Sequence, residues 1–155
     1  MTPSPTDEDY RRLLELRTGL RRFLRWSEDQ AQAVGVTPAQ HQLLLAIRGH
    51  PDPRGPTVGD AAGWLLLRHH SAVGLVDRAE AAGLITRAPD PDNLSTVRLR
   101  LTESGARMLE ALSELHLEEL AHLAPTMHAL WDAIERAADG NPDRPAHPAA
   151  RPRER

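Results

Sequence analysis

Arg68-His69-His70-Ser71-Ala72-Val73-Gly74-Leu75-Val76-Asp77-Arg78-Ala79-Glu80 reads as one helix with two unlike faces. Ala72, Leu75, Val76 and Ala79 recur at i, i+3, i+4 and i+7, the spacing that buries one side of a helix. His69, His70, Val73, Gly74 and Asp77 fall on the side left free. Upstream, Thr57 and Asp60 have the spacing of a capping pair, and Val58, Ala61, Ala62 and Leu65 line one side of a second short helix. The local prediction is helix, turn, helix.

Downstream, Gly83 suits a left-handed residue that ends the second helix. Leu84-Ile85-Thr86-Arg87 and Val97-Arg98-Leu99-Arg100-Leu101 then read as two half-buried strands, the latter alternating apolar residues with arginine. Between them, Ala88 to Ser95 holds two prolines, two aspartates and an asparagine, the composition of a protruding turn. A hairpin directly behind a helix-turn-helix predicts a winged helix: a mainly α fold with a small β-hairpin wing.

These residues resemble the MarR family of bacterial transcription regulators. The signals are Thr37-Pro38-Ala39-Gln40, Thr57-Val58-Gly59-Asp60, Leu75-Val76-Asp77-Arg78 with Glu80, Gly83-Leu84-Ile85 with Arg87, Asp90-Pro91-Asp92, and Leu101-Thr102 with Gly105. The likeness covers roughly Tyr10 to Ala137. It implies a homodimeric winged-helix protein that binds double-stranded operator DNA, often under the control of a small-molecule effector. It also places His41 where the family often has an aromatic residue bordering a ligand cleft. The chain departs from the pattern at the wing tip, where Asn93-Leu94-Ser95 stands in place of the usual Asp-Arg-Arg. It departs again at Val73 and Gly74, where polar or basic residues are common, and at Ala61 and Ala79, which replace customary leucines. Contact with DNA is therefore expected to fall on Arg68, His69, His70 and Ser71, with Val73, Gly74 and Arg78 along the same helix. Arg54, Asn93, Ser95 and Arg98 complete the candidate set from the loop and wing.

Charge distribution fits that reading better than the net value of −3 suggests. Residues 54–102 carry six arginines against five acids, whereas residues 103–139 carry two against eight. The acidity is concentrated away from the expected reading head, which is itself only mildly basic, so binding is expected to be salt-sensitive. All 19 basic residues are arginine, and with no cysteine the chain has neither disulfides nor thiolate chemistry, as suits a reducing cytoplasm. No signal peptide or membrane span is recognisable, and neither a membrane partner nor a cofactor is expected. No nucleophile elbow, phosphate loop or dinucleotide fingerprint points to an enzyme. Eight histidines invite a metal reading, but His116, His122 and His128 are six apart, about 240° per step on a helix, and cannot converge. No metal site is predicted.

The flanks read as support for this region. Residues 1–6 are a flexible lead-in. A first helix over Asp7 to Val34 carries Leu13, Leu16, Leu20, Phe23 and Ser27 in a near-heptad stripe that needs a partner, either within the chain or across a dimer. Thr37, Pro38 and Gln40 open a second helix with Leu43, Leu44 and Ile47 facing the core. Gly49 to Pro56 form a proline-rich loop in which Arg54 is placed to reach a phosphate. From Thr102 a long helix is expected to end or kink at Pro125, followed by a last helix burying Met127, Leu130, Trp131 and Ile134. The whole predicts one winged-helix domain over 7–139. Within it, 7–34 and 103–139 are dimerisation helices and 37–102 is the DNA-binding region, with 140–155 a disordered tail. The alternative is a dimer of the same fold with weakened DNA binding, serving protein interaction or small-molecule sequestration.

Overall fold

The computed structural model describes residues 4–138. Its elements run α1 (Asp7–Ala33), α2 (Pro38–Arg48), α3 (Val58–Trp64), α4 (His69–Ala81), β1 (Ile85–Pro89), β2 (Val97–Leu101) and α5 (Glu103–Ala138). The expected fold class holds: a mainly helical chain with one antiparallel hairpin, Ile85 opposite Leu101 and Pro89 opposite Val97. Position 139 and the expected tail over 140–155 lie outside the described residues. Contacts divide the chain into two compact units, residues 25–116 and residues 4–24 with 117–138.

In the unit of residues 25–116, local sequence chemistry sets the helix starts. Thr37 Oγ1 accepts from Gln40 N while Gln40 Oε1 accepts from Thr37 N, and Thr57 with Asp60 repeats the arrangement. Each box satisfies two backbone donors that a helix start leaves orphaned. The apolar faces then meet in one core, with Leu43, Leu44, Val76, Ile85 and Leu99 at its centre. Gly83 (φ +71°) closes α4, and Leu84 N donates to the Ala79 carbonyl. Thr102 clasps that turn from the far strand: its N donates to the Leu84 carbonyl and its Oγ1 to the Gly83 carbonyl.

The first strand differs from the expected Leu84–Arg87. Leu84 is spent on capping α4, and the pairing extends through Ala88 and Pro89. Pro89 fits there because it sits at the strand's end.

The unit of residues 4–24 with 117–138 consists of the first part of α1 and the last part of α5. The Gly19 backbone lies close enough to Met127 that an added Cβ would be 3.7 Å from its Sδ. Of the expected end or kink at Pro125, the end does not occur: α5 runs through it as one helix, so among the described residues no separate last helix follows. Proline removes the donor to the Ala121 carbonyl, but Ala121 and Pro125 are both exposed and water can take that acceptor. Nor is Trp131 buried. It is 56% exposed and donates from Nε1 to Glu135, while Met127, Leu130 and Ile134 are half-buried. Leu13, Leu20, Leu24, Leu117 and Leu120 are likewise exposed.

Candidate nucleic-acid interface

Within residues 25–116, α3 and α4 are joined by a turn over residues 65–68 in which Leu67 N donates to the Ala62 carbonyl. Leu66 adopts φ +54°, a left-handed conformation unfavourable for a residue with a Cβ, and is 94% exposed. The turn thus sets α4 at the cost of local strain and leaves a leucine in water, beside exposed Trp64. Sequence reasoning missed this feature.

α4 buries Ala72, Leu75, Val76 and Ala79. Arg68, at its N-cap, together with His69, His70, Ser71 and Arg78, is exposed, and Val73 and Gly74 are half-buried. The Arg78 guanidinium lies back over Gly74, whose missing Cβ would stand 3.3 Å from Nη1. Asp77 and Glu80, the carboxylates of this helix, are both taken by Arg87 of β1: Nη2 donates to Asp77 at 2.5 Å and Nη1 to Glu80. Arg87 therefore fastens the wing to α4 and neutralises the two carboxylates of that helix. Among the described residues no carboxylate pairs with Arg68 or Arg78. Seven of the candidate contacts, Arg68, His69, His70, Ser71, Val73, Gly74 and Arg78, are brought together on one helix.

The remaining candidates have other occupations. Arg54 is gripped by Asp52, at 2.8 Å from Nη2, and its Nη1 reaches Asp92 at 2.8 Å and Asp90 at 3.4 Å. Arg98 donates from Nε to Asp90 at 2.7 Å and from Nη1 to the Gly55 carbonyl at 3.1 Å. Both arginines thus hold the neck of the wing. Asp90 is 2% exposed and also accepts from Asp92 N at 2.9 Å. That backbone donor, then Arg98 and Arg54, holds its carboxyl below the ordinary aspartate range. Asn93 Oδ1 accepts from Ser95 N and Oγ, so both tie the tip turn, from which Leu94 projects 80% exposed.

His41 lies 4% exposed against other groups of the same unit. Its ring centroid is 4.8 Å from that of His116, which on its other side meets Trp26 at 4.9 Å. His116 Nδ1 is 2.6 Å from the Leu112 carbonyl, which only accepts, so Nδ1 carries a proton. Nε2 lies 2.6 Å from buried Ser27 Oγ. Burial first, and the neighbouring His116 second, push the His41 pKa below the usual histidine value. The unfolded chain then binds more protons near pH 6, so this contribution to stability is intact above about 6.5 and lost as pH falls through the folded value. His41→Phe should flatten the dependence of the unfolding midpoint between pH 7 and 5, measured by thermal denaturation at fixed salt. An unchanged pH profile would remove His41 from that role. Among the described residues no cluster of histidine and carboxylate fit to hold a metal ion is found, and no helix is long and apolar enough to cross a membrane.

A helix-turn-helix with a hairpin wing pinned to its second helix defines a winged-helix protein. Residues 34–93 match the model of the MarR family. The chain is 29% identical over 122 residues to the transcriptional activatory protein BadR of Rhodopseudomonas palustris, spanning 70% of each. It is 31% identical over 98 residues to the transcriptional repressor NicR of Pseudomonas putida, spanning 63% of this chain and 60% of that one. Its fold superposes with a TM-score of 0.65 on a MarR family protein from Bacillus stearothermophilus, at 26% identity over 77% of this chain and 82% of the other. Over residues 34–93 the chain thus matches the MarR family, and the proteins it resembles are transcription regulators.

Proposed function

We propose that the protein is a homodimeric repressor that acts in the cytoplasm and reads a pseudo-palindromic operator, one α4 entering the major groove of each half-site. The observation that carries this is the outer face of α4. Arg68 and Arg78 stand there with no carboxylate partner among the described residues, because Arg87 has engaged Asp77 and Glu80. Guanidiniums left in this state are suited to phosphate oxygens or to guanine edges. Dimerisation is supported by the exposed leucines of α1 and α5, an apolar surface that a lone protomer would leave in water. A two-fold dimer calls for half-sites about 10 bp apart. A small effector seated near His41 would act by favouring one spacing of the two heads over the other.

The test is footprinting and fluorescence anisotropy on DNA flanking the protein's own gene. Paired protection one turn apart is expected. Arg68→Ala and Arg78→Ala should each weaken binding about tenfold, the lower end of what one good base or phosphate contact contributes. Full affinity in the double variant would refute the placement of α4 in the groove.

A further inference from the structure

α1 is strongly basic over part of its length, where residues 11–24 hold five arginines against one acid, Glu15. Arg11 pairs with Glu8 at 2.8 Å, and Arg12 reaches Glu8 at 3.2 Å and Asp9 at 3.6 Å, so the first turn of the helix neutralises both. Arg17 and Arg21, one turn apart, are exposed and have no carboxylate or hydrogen-bond partner among the described residues. Glu15 does not serve them, because it stands about 160° round the helix from Arg17 and about 120° from Arg21. Leu14 lies on their side, at i with the arginines at i+3 and i+7, and is 63% exposed.

α5 carries the complement. Glu103 is engaged by Arg107 one turn on, whereas Glu110 and Glu114 are exposed and without a cation partner among the described residues. Both are turned away from Leu109 and Leu112, which are buried. Leu117 follows three positions after Glu114 and is 68% exposed. Among the described residues no ion pair joins α1 to α5, so neither row is answered within the chain.

The two rows share a spacing. Leu14, Arg17 and Arg21 are three and four apart, and Leu117, Glu114 and Glu110, read backwards, are also three and four apart. Two helices laid antiparallel along these rows set leucine on leucine and each arginine opposite a glutamate. Successive members stand about 6 Å apart on each helix, so all three contacts close in one register. A parallel arrangement opposes Leu14 to Glu110 and Arg21 to Leu117, and keeps one charge pair of the two. A phosphate backbone would take the arginines but leave Leu14 against a charged surface and both glutamates unanswered. A second copy of the chain answers all six residues.

We propose that α1 of one copy lies antiparallel along α5 of a second copy, with Leu14 on Leu117, Arg17 facing Glu114 and Arg21 facing Glu110, and that this register makes the chain select its own kind. The register rests on the dimer proposed from the exposed leucines. Leucines supply adhesion without direction, whereas charges bordering an apolar seam fix orientation and reject chains of other sequence. A two-fold axis repeats the set on the other side of the dimer. Exposed ion pairs are individually weak, and like charges brought face to face cost more, so the rows contribute selectivity more than strength.

The experiment is sedimentation velocity of the full chain over a range of concentrations. Arg17→Glu with Arg21→Glu makes both rows acidic, and Glu110→Arg with Glu114→Arg makes both basic. Each variant alone should dimerise about tenfold more weakly than the parent, or worse, since like charges then face each other. Mixed in equal amounts, the two should recover the parent's dimerisation as a heterodimer, because every row meets its opposite. Raising salt from about 50 to about 500 mM should weaken parent and mixture alike by screening exposed pairs. The proposal is overturned if either variant alone dimerises as tightly as the parent, or if the mixture associates no better than its components. It is also overturned if Arg17→Glu with Arg21→Glu loses only affinity for DNA, which would make the row a phosphate contact. A dimer that both variants leave intact keeps the leucine interface and removes this register, whereas a parent that stays monomeric throughout removes both.

Discussion

Gly105→Ala is expected to lower stability by about 2–3 kcal/mol, the upper part of the range for forcing a methyl into packed structure. The added Cβ would stand 2.0 Å from the Leu84 carbonyl oxygen and 3.0 Å from its carbon, and both are backbone atoms that cannot rotate away. That carbonyl already accepts from Thr102 N, and Leu84 N caps α4 through Ala79. Relieving the clash means withdrawing the start of α5 from the junction where it meets the end of α4 and the wing. Gly55→Ala should be comparable, since its Cβ would fall 2.2 Å from the Leu99 carbonyl and its φ is +88°. Gly83→Ala is the control: φ is +71°, but nothing lies within 4 Å, so only the left-handed penalty of about 1–2 kcal/mol applies. Urea denaturation of the three variants checks the ranking. Equal losses at Gly83 and Gly105 would mean that α5 slides back without cost and that the close approach carries no energy.

What could be read in advance follows from how far apart in the chain the causes lie. The Thr37–Gln40 and Thr57–Asp60 boxes are three-residue chemistry, and the apolar stripe of α4 is a four-residue repeat, so both were legible. The wing neck was not. Arg54 meets Asp92 across 38 residues and Arg98 meets Gly55 across 43, and nothing in either neighbourhood announces the partner. Both arginines therefore read as phosphate contacts, because a loop arginine beside a reading head offers no other visible use. Arg87 was legible as a strand residue, whereas its grip on Asp77 and Glu80 emerged only with the angle between α4 and β1. Leu66 was hidden for the opposite reason. A run of Trp64-Leu65-Leu66-Leu67 contains no glycine or asparagine to mark a left-handed turn, so an apolar string concealed the strained residue between the two helices. Pro125 misled because its effect depends on exposure: the rule that proline breaks a helix weakens where water can take the freed carbonyl.

Arg98→Ala should destabilise the unit of residues 25–116 more than Arg54→Ala does, because its side chain is 13% exposed against 37% and leaves buried Asp90 without its nearest cation. Asp90, Asp52 and Asp60 all have carboxyls held below their ordinary range, Asp90 first by Asp92 N, Asp52 by the Arg54 side chain and Asp60 by Thr57 N. Depressed carboxylates contribute stability that is complete above about pH 4, where the unfolded chain is also ionised, and lost as pH falls through the folded values. In Arg98→Ala the acid unfolding midpoint should move to higher pH, though only in part, since the Asp92 N–H remains. DNA binding separates the two roles open to this arginine. As a positioning residue for the wing, it should cost affinity when removed while leaving the slope of log K against log salt unchanged. As a phosphate contact, its removal should reduce that slope by about 0.9. A reduced slope with an unmoved acid midpoint would sink the positioning role, and Arg98 would then have to leave Asp90 on binding DNA. An unchanged slope with a raised midpoint means that the wing is held by internal charge pairs and that Arg68 and Arg78 are the cations left to meet the duplex.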